Sequence, residues 1–276
     1  IARGAHGEAI ANSGLQVDSH WGNFNVKVDV TDDPSTVGTV ELILHCTKLY
    51  SNAEALPALA GMVGGDTNIL TIQNGVTSGA TVASHYGWDR VLQGATYIES
   101  GIIGPGHINQ TGSVARIEFG ENDGSSTPRT EAIRGLFEKP GIQAEVSSNI
   151  VDTLWSKLVS VGAIGTLMTA ARASLPEILA SPHGEATIRM LMEEIVAVGQ
   201  SQGVTLPPRC VESKLEGAKA EADEFQSSLQ YDLSIGKPLE LDELLGAVVE
   251  MADESGIPVP ASAALVSVLD RFKYGS

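Results

Sequence analysis

Residues 154–171, LWSKLVSVGAIGTLMTAA, carry a single charge, the ammonium of Lys157. On a helix its neighbours are Leu154 at i−3, Ser160 at i+3 and Val161 at i+4, so its stem lies along an apolar stripe. Burial of that kind lowers a lysine pKa and makes the group usable as an acid or base. The competing explanation is a snorkelling lysine whose head reaches water. Three further places carry groups of the right type. In LTIQNGVTSG an apolar strand ends at Gln73-Asn74-Gly75, and an Asn at the carboxyl end of a strand offers a donor and an acceptor where α/β sheets collect ligands. Turn chemistry explains Asn-Gly equally well. Lys48 follows the apolar run of LILHCTKLYS, either as a ligand contact or as a solvated loop charge. In FQSSLQYDLSIGKPLELDELLGAVVE two serines precede a Gly-Lys-Pro turn and a helix expected to begin around Glu240. Glu240 and Asp242 would there suit the positive end of a helix dipole.

These groups need a scaffold, and the first half of the chain supplies a recognisable pattern. FNVKVDVT alternates, GTVELILHCT reads as a buried strand, and NILTIQNG is a strand ending in a turn. SNAEALPALAGMVGG, between the last two, suits a helix with a glycine stop. Strand, helix, strand at this spacing predicts a βαβ unit in a parallel sheet. Residues 91–121 read as several short strands separated by Gly and Pro, and a helix is expected to open near Thr127 and Pro128. From about residue 147 the pattern turns helical. Ile188, Leu191, Ile195 and Val198 recur at helical spacing ahead of a glycine. The expected architecture is an α/β domain over residues 1–147 and an all-α domain over residues 148–276.

Composition narrows the function classes. The 276 residues hold 17 Lys+Arg against 34 Asp+Glu, a net charge of −17 that disfavours a nucleic acid or an anionic membrane as partner. Cys46 and Cys210 lack metal-site spacing and are expected to be free core thiols in a reducing cytoplasm. No membrane span is expected, because Ser, Gly and Thr interrupt the apolar segment around Lys157. The start, IARGAHGEAI, has no initiator Met and no signal-peptide character.

Taken in order, IARG at 1–4, TK at 47–48, QNG at 73–75, LWSKL at 154–158 and SSLQYDLSIGKPLELDELLG at 227–246 resemble the ketopantoate reductase family over nearly the whole chain. The resemblance implies a Rossmann-type N-terminal domain, a helical C-terminal domain and an active site in the cleft between them. It further implies reduction of 2-dehydropantoate to (R)-pantoate with NADPH, a step of pantothenate and coenzyme A synthesis. Lys157 would then be the general acid. Glu240 would hold the substrate hydroxyl and Ser228 would contact the carboxylate end. Asn74 would lie near nicotinamide and substrate, with Lys48 and Arg3 on the cofactor. An Arg at position 3, where NAD-binding folds usually carry an acid, suits a 2′-phosphate and therefore NADPH.

Two departures stand out. The family's opening strand and G-x-G-x-x-G turn do not precede IARG, so the chain is expected to be N-terminally incomplete, lacking the first strand and glycine loop of its Rossmann domain. Pairing of the resulting sheet edge with another chain would give a homodimer. On the lysine helix, Val161 and Gly165 stand where the pantoate enzymes carry Asn, which points to another 2-keto acid as an alternative substrate. A non-catalytic relative that binds in the same cleft is the remaining alternative.

Overall fold

The computed structural model describes residues 1–275. The chain divides into two compact units. The first comprises Ile1–Thr47, Ser51–Gln73 and Gly79–Ser148; the second takes Lys48–Tyr50, Asn74–Ser78 and the chain from Asn149 onward.

The first unit contains α1 (Gly4–Ser13), β1 (Leu15–Ser19), β2 (Phe24–Val26), β3 (Leu42–His45), α2 (Asn52–Ala58), β4 (Asn68–Thr71), α3 (Ser78–Tyr86), β5 (Val91–Gly104), β6 (His107–Gly120), α4 (Pro128–Glu138) and β7 (Gln143–Val146). Its strands form one mixed sheet in the order β2-β1-β6-β5-β4-β3, with β7 also paired to β6. β3, β4 and β5 are parallel, as the strand-helix-strand spacing predicts. Adjacent residues of β4 serve opposite faces: Ile69 packs with Ile43, Leu56 and Val91, and Leu70 with Leu92, Phe119 and Ile133. The sheet is therefore covered on both sides.

Residues 91–120 correct the expectation of several short strands. They form two 14-residue strands, β5 and β6, paired antiparallel. Glycines inside the strands do not end them: Gly94 and Gly101 keep the register, and Gly112 falls where it shifts. Ile98 faces Ala115 but Glu99 faces Thr111, so Gly112, Ser113 and Val114 bulge out, with Gly112 at φ +72°. A second correction concerns FNVKVDVT, of which only Phe24–Val26 is strand. All three of its residues are exposed, so its alternation has no core to face. A third concerns Cys46. It is exposed next to buried His45 at the end of β3, and only Cys210 is buried.

The second unit contains α5 (Ile150–Ala171), α6 (Leu175–Ala180), α7 (Gly184–Ser201), α8 (Cys210–Ala220), α9 (Ser228–Ser234), α10 (Ala247–Ser255) and α11 (Pro260–Leu269). Asn149 caps α5 by accepting from the Asp152 N–H. Ile188, Leu191, Ile195 and Val198 of α7 are all fully buried and pack with Trp155, Leu158 and Val159 of α5. α5 is 22 residues long, so the interruptions noted in the sequence do not shorten it. By length and composition it is long and apolar enough to cross a membrane, yet most of it is buried inside the protein.

Glu194 on α7 holds the start of α11. Its buried carboxylate accepts from the N–H groups of Ala261 and Ser262 at 2.9 and 2.8 Å and from the Ser262 hydroxyl at 2.6 Å. Glu194→Ala is expected to destabilise the protein by about 2–3 kcal/mol, because these donors lose a charged acceptor. Urea unfolding of the variant beside the parent checks this.

No regular helix begins at Glu240. Residues Asp242–Gly246 form a wide turn in which the Gly246 N–H reaches back to the Leu241 carbonyl at 2.8 Å, and α10 follows. A Cβ on Gly246 would stand 2.9 Å from that carbonyl oxygen, so glycine permits the widening. Such i→i+5 turns recur at functional sites.

Candidate active site

The second unit gathers Lys48, Asn74, Lys157 and Glu240 from distant parts of the sequence, and adds Asp232. Lys157 lies on α5, two turns from its start, and is half-buried. Its Nζ donates to the Asn74 Oδ1 at 2.9 Å. Burial pushes its pKa down to about 8, and the negative charge of Glu240 counters that shift in part. The lysine is therefore not a snorkelling side chain. It is an ammonium that gives up its proton readily and is oriented by an amide oxygen.

Glu240 is buried and does not cap a helix. Its Oε1 accepts from the Leu49 N–H at 2.9 Å and its Oε2 from Lys48 Nζ at 2.9 Å. Lys48 also donates to Asp232 Oδ2 at 2.8 Å. Burial works against the charge on Lys48, but the two carboxylates outweigh it and lift its pKa above the ordinary lysine value. Lys48 is thus no solvated loop charge. Lys48→Met would leave two buried carboxylates without their cation, and is expected to cost about 3 kcal/mol of stability or force one of them to take up a proton. Thermal unfolding at neutral and at acidic pH checks this, since the loss shrinks once the carboxylates are protonated.

Sequence reasoning missed Asp232, although it lies within the quoted segment. The available signal was its place beside Leu229 and Leu233 on α9, where an acid on an apolar face needs a partner. Ser228 opens α9 as an exposed residue, outside the hydrogen-bonded cluster. Its neighbour Ser227 is the cap: it accepts from the Gln230 N–H at 3.2 Å and donates to the Gly165 carbonyl at 3.2 Å. A Cβ at Gly165 would meet that hydroxyl at 3.1 Å, so the small residue there permits the close approach of α5 and α9.

Arg3 belongs to the first unit. It precedes α1 and pairs with Glu54 at 2.7 Å, both side chains being exposed. The two border a cavity of about 570 Å³ lined also by Ala2, His45, Thr47 and Ser51. An exposed pair of this kind is worth at most about 1 kcal/mol, so the guanidinium can exchange Glu54 for an anionic ligand.

A lysine of lowered pKa, held by an amide oxygen near a buried carboxylate, is equipped to protonate an oxygen that gains negative charge. Together with an α/β unit of parallel strands covered by helices and a helical unit, this is equipment that a Rossmann-type oxidoreductase needs. Residues 1–124 match the family "Ketopantoate reductase PanE/ApbA" and residues 149–273 match "Ketopantoate reductase PanE/ApbA C terminal". The chain is 30% identical to the 2-dehydropantoate 2-reductase of Halobacterium salinarum, over 96% of this chain and 86% of that one. It is 27% identical to the enzyme of the same name from Mesorhizobium japonicum, over 98% and 88%. The structure is similar to the PanE/ApbA family ketopantoate reductase from Ralstonia eutropha, with a TM-score of 0.91 and 29% identity over 99% and 89% of the two chains. A D-mandelate dehydrogenase solved with NADH and anilino(oxo)acetate shares the fold, with a TM-score of 0.87 and 19% identity over 98% and 88%. This chain belongs to the ketopantoate reductase family.

Proposed function

We propose that this protein reduces 2-dehydropantoate to (R)-pantoate with NADPH, in the cytoplasmic synthesis of pantothenate and coenzyme A. The observation that carries the proposal is the Lys157 ammonium, lowered to about 8 by burial and bonded to Asn74. A bound nicotinamide would supply the hydride. The residues of the chain would do the rest. Lys157 gives its proton to the carbonyl oxygen, Asn74 keeps the ammonium aimed, Glu240 accepts from the substrate hydroxyl, and exposed Ser228 takes the carboxylate end. Arg3 fits the 2′-phosphate, since its guanidinium lies at the rim of a cavity and is paired with an exposed, exchangeable carboxylate. Lys48 would contact the cofactor from its ion pairs with Asp232 and Glu240. NADPH absorbance on adding ketopantoate, with NADH as the comparison, tests the proposal. Turnover with NADPH above NADH supports it, and no oxidation of either cofactor overturns it.

A second reading is favoured by α5 itself. One turn beyond Lys157 it carries the half-buried Val161, which offers no polar partner to a hydroxylated substrate, while Gly165 a turn further packs against Ser227. A 2-keto acid with an apolar substituent fits that helix face better, and one relative of the same fold is named D-mandelate dehydrogenase. A kcat/KM for phenylglyoxylate at least tenfold above that for ketopantoate would select this reading.

The net charge of −17 supports a small-molecule partner over nucleic acid or an anionic membrane. The free edge of β2, with Phe24 and Val26 exposed, supports assembly as a homodimer, which light scattering would test.

A further inference from the structure

Buried polar side chains meet at the ends of β3 and β4 in the first unit. Asn52 and Gln73 pair through both amides: Asn52 Nδ2 donates to Gln73 Oε1 at 3.2 Å, and Gln73 Nε2 donates to Asn52 Oδ1 at 2.8 Å. Asn52 Oδ1 also faces His45 Nε2 at 2.9 Å. An amide oxygen accepts only, so that nitrogen carries a proton, and burial favours the neutral ring. The second Gln73 amide proton goes to the Thr47 carbonyl at 2.8 Å, and Thr71 Oγ1 donates to Gln73 Oε1 at 3.2 Å. His45, Asn52, Thr71 and Gln73 are all buried.

The location is what gives the network meaning. Thr47 and Asn52 bracket the excursion Lys48–Tyr50, and Gln73 immediately precedes the excursion Asn74–Ser78, the two short segments in which the chain leaves the first unit for the second. A core that needed only packing would fill such a place with apolar side chains. Instead a side chain at the end of β4 grips the peptide at the end of β3, so the backbone leading into Lys48 is tied to the backbone leading into Asn74. Fully satisfied buried networks of this kind fix a unique geometry.

We propose that the His45–Asn52–Gln73 network is a positioning device for the reaction, holding the two backbone segments from which Lys48 and Asn74 reach their partners. It acts through those residues. Its part in turnover rests on the reading of Lys157 as the acid. The amide oxygen of Asn74 favours the charged form of the Lys157 amine, so a misplaced Asn74 lowers the midpoint at which that amine titrates.

The test uses Gln73→Leu, which severs the amide pair and the Thr47 bond. Thr71→Val, which removes one donor at nearly constant volume, serves should Gln73→Leu fail to fold. Steady-state kinetics give kcat and KM, and competitive acetylation over a pH series gives the Lys157 midpoint without turnover. The expected result for Gln73→Leu is a loss of about 10–100-fold in kcat with KM within about threefold, and a lowered midpoint. Thr71→Val should move both in the same direction by less. A folded variant whose midpoint is unchanged, or whose midpoint moves while kcat stays at the parent value, would overturn the proposal. Should Lys157→Met retain full activity, the acid reading fails on its own, and the acetylation midpoint still decides whether the network positions Asn74.

Discussion

Lys157→Met is expected to lower kcat/KM for keto acid reduction by about 10²–10⁴-fold, the span that a positioned general acid contributes. Methionine keeps the length and the apolar stem at this half-buried position of α5, so the loss belongs to the missing proton. The pH profile gives the sharper signature. Reduction needs the protonated amine, and burial holds its pKa at about 8. In the parent enzyme kcat/KM should stay level below that point and fall by about tenfold per unit above it. The variant should lack that limb altogether. Residual activity with an unchanged limb would assign the proton to another group.

Glu240→Gln is the second large effect, and it separates two roles of one carboxylate. As acceptor for the substrate hydroxyl its charge is worth about 1.5–3 kcal/mol, so kcat/KM should fall roughly 10–100-fold. Its charge also favours the protonated form of Lys157 against burial. Removing that charge lowers the pKa of the lysine, so the limb expected near pH 8 in the parent should move to lower pH. The variant should thus lose more activity at pH 8 than at pH 6, where the amine is protonated in both proteins. A uniform loss across pH would leave Glu240 with the substrate contact alone. Glutamine still accepts from the Leu49 N–H, which limits the structural damage.

Local physics made part of this site legible. Lys157 stands out because one charge in an uncharged helix demands a reason, and α7 was readable because its buried residues repeat at helical spacing. The strand-helix-strand spacing gave the parallel half of the sheet. What escaped is non-local. Asp232 meets Lys48 across 184 residues of chain, and no spacing rule reports a partner at that distance. His45 and Asn52 look like an ordinary strand end and helix start until β3 and β4 are set side by side. Glycine misled in β5 and β6, where it sits inside long strands and beside a bulge although the sequence pattern read it as a separator of short ones.

The placement of Lys157 on α5 has a consequence for durability. Leu158 and Val159 beside it are fully buried, and the helix packs along α7 through the centre of the second unit. Backbone amides there can exchange with solvent only when that unit opens as a whole, so they should be among the slowest in the chain. Lys48 and Asn74 sit on short excursions held by a few side-chain bonds, which can break without unfolding a helix. On warming, the enzyme should therefore lose the aim of its proton donor well before it loses the donor, and inactivation should precede melting and reverse on cooling.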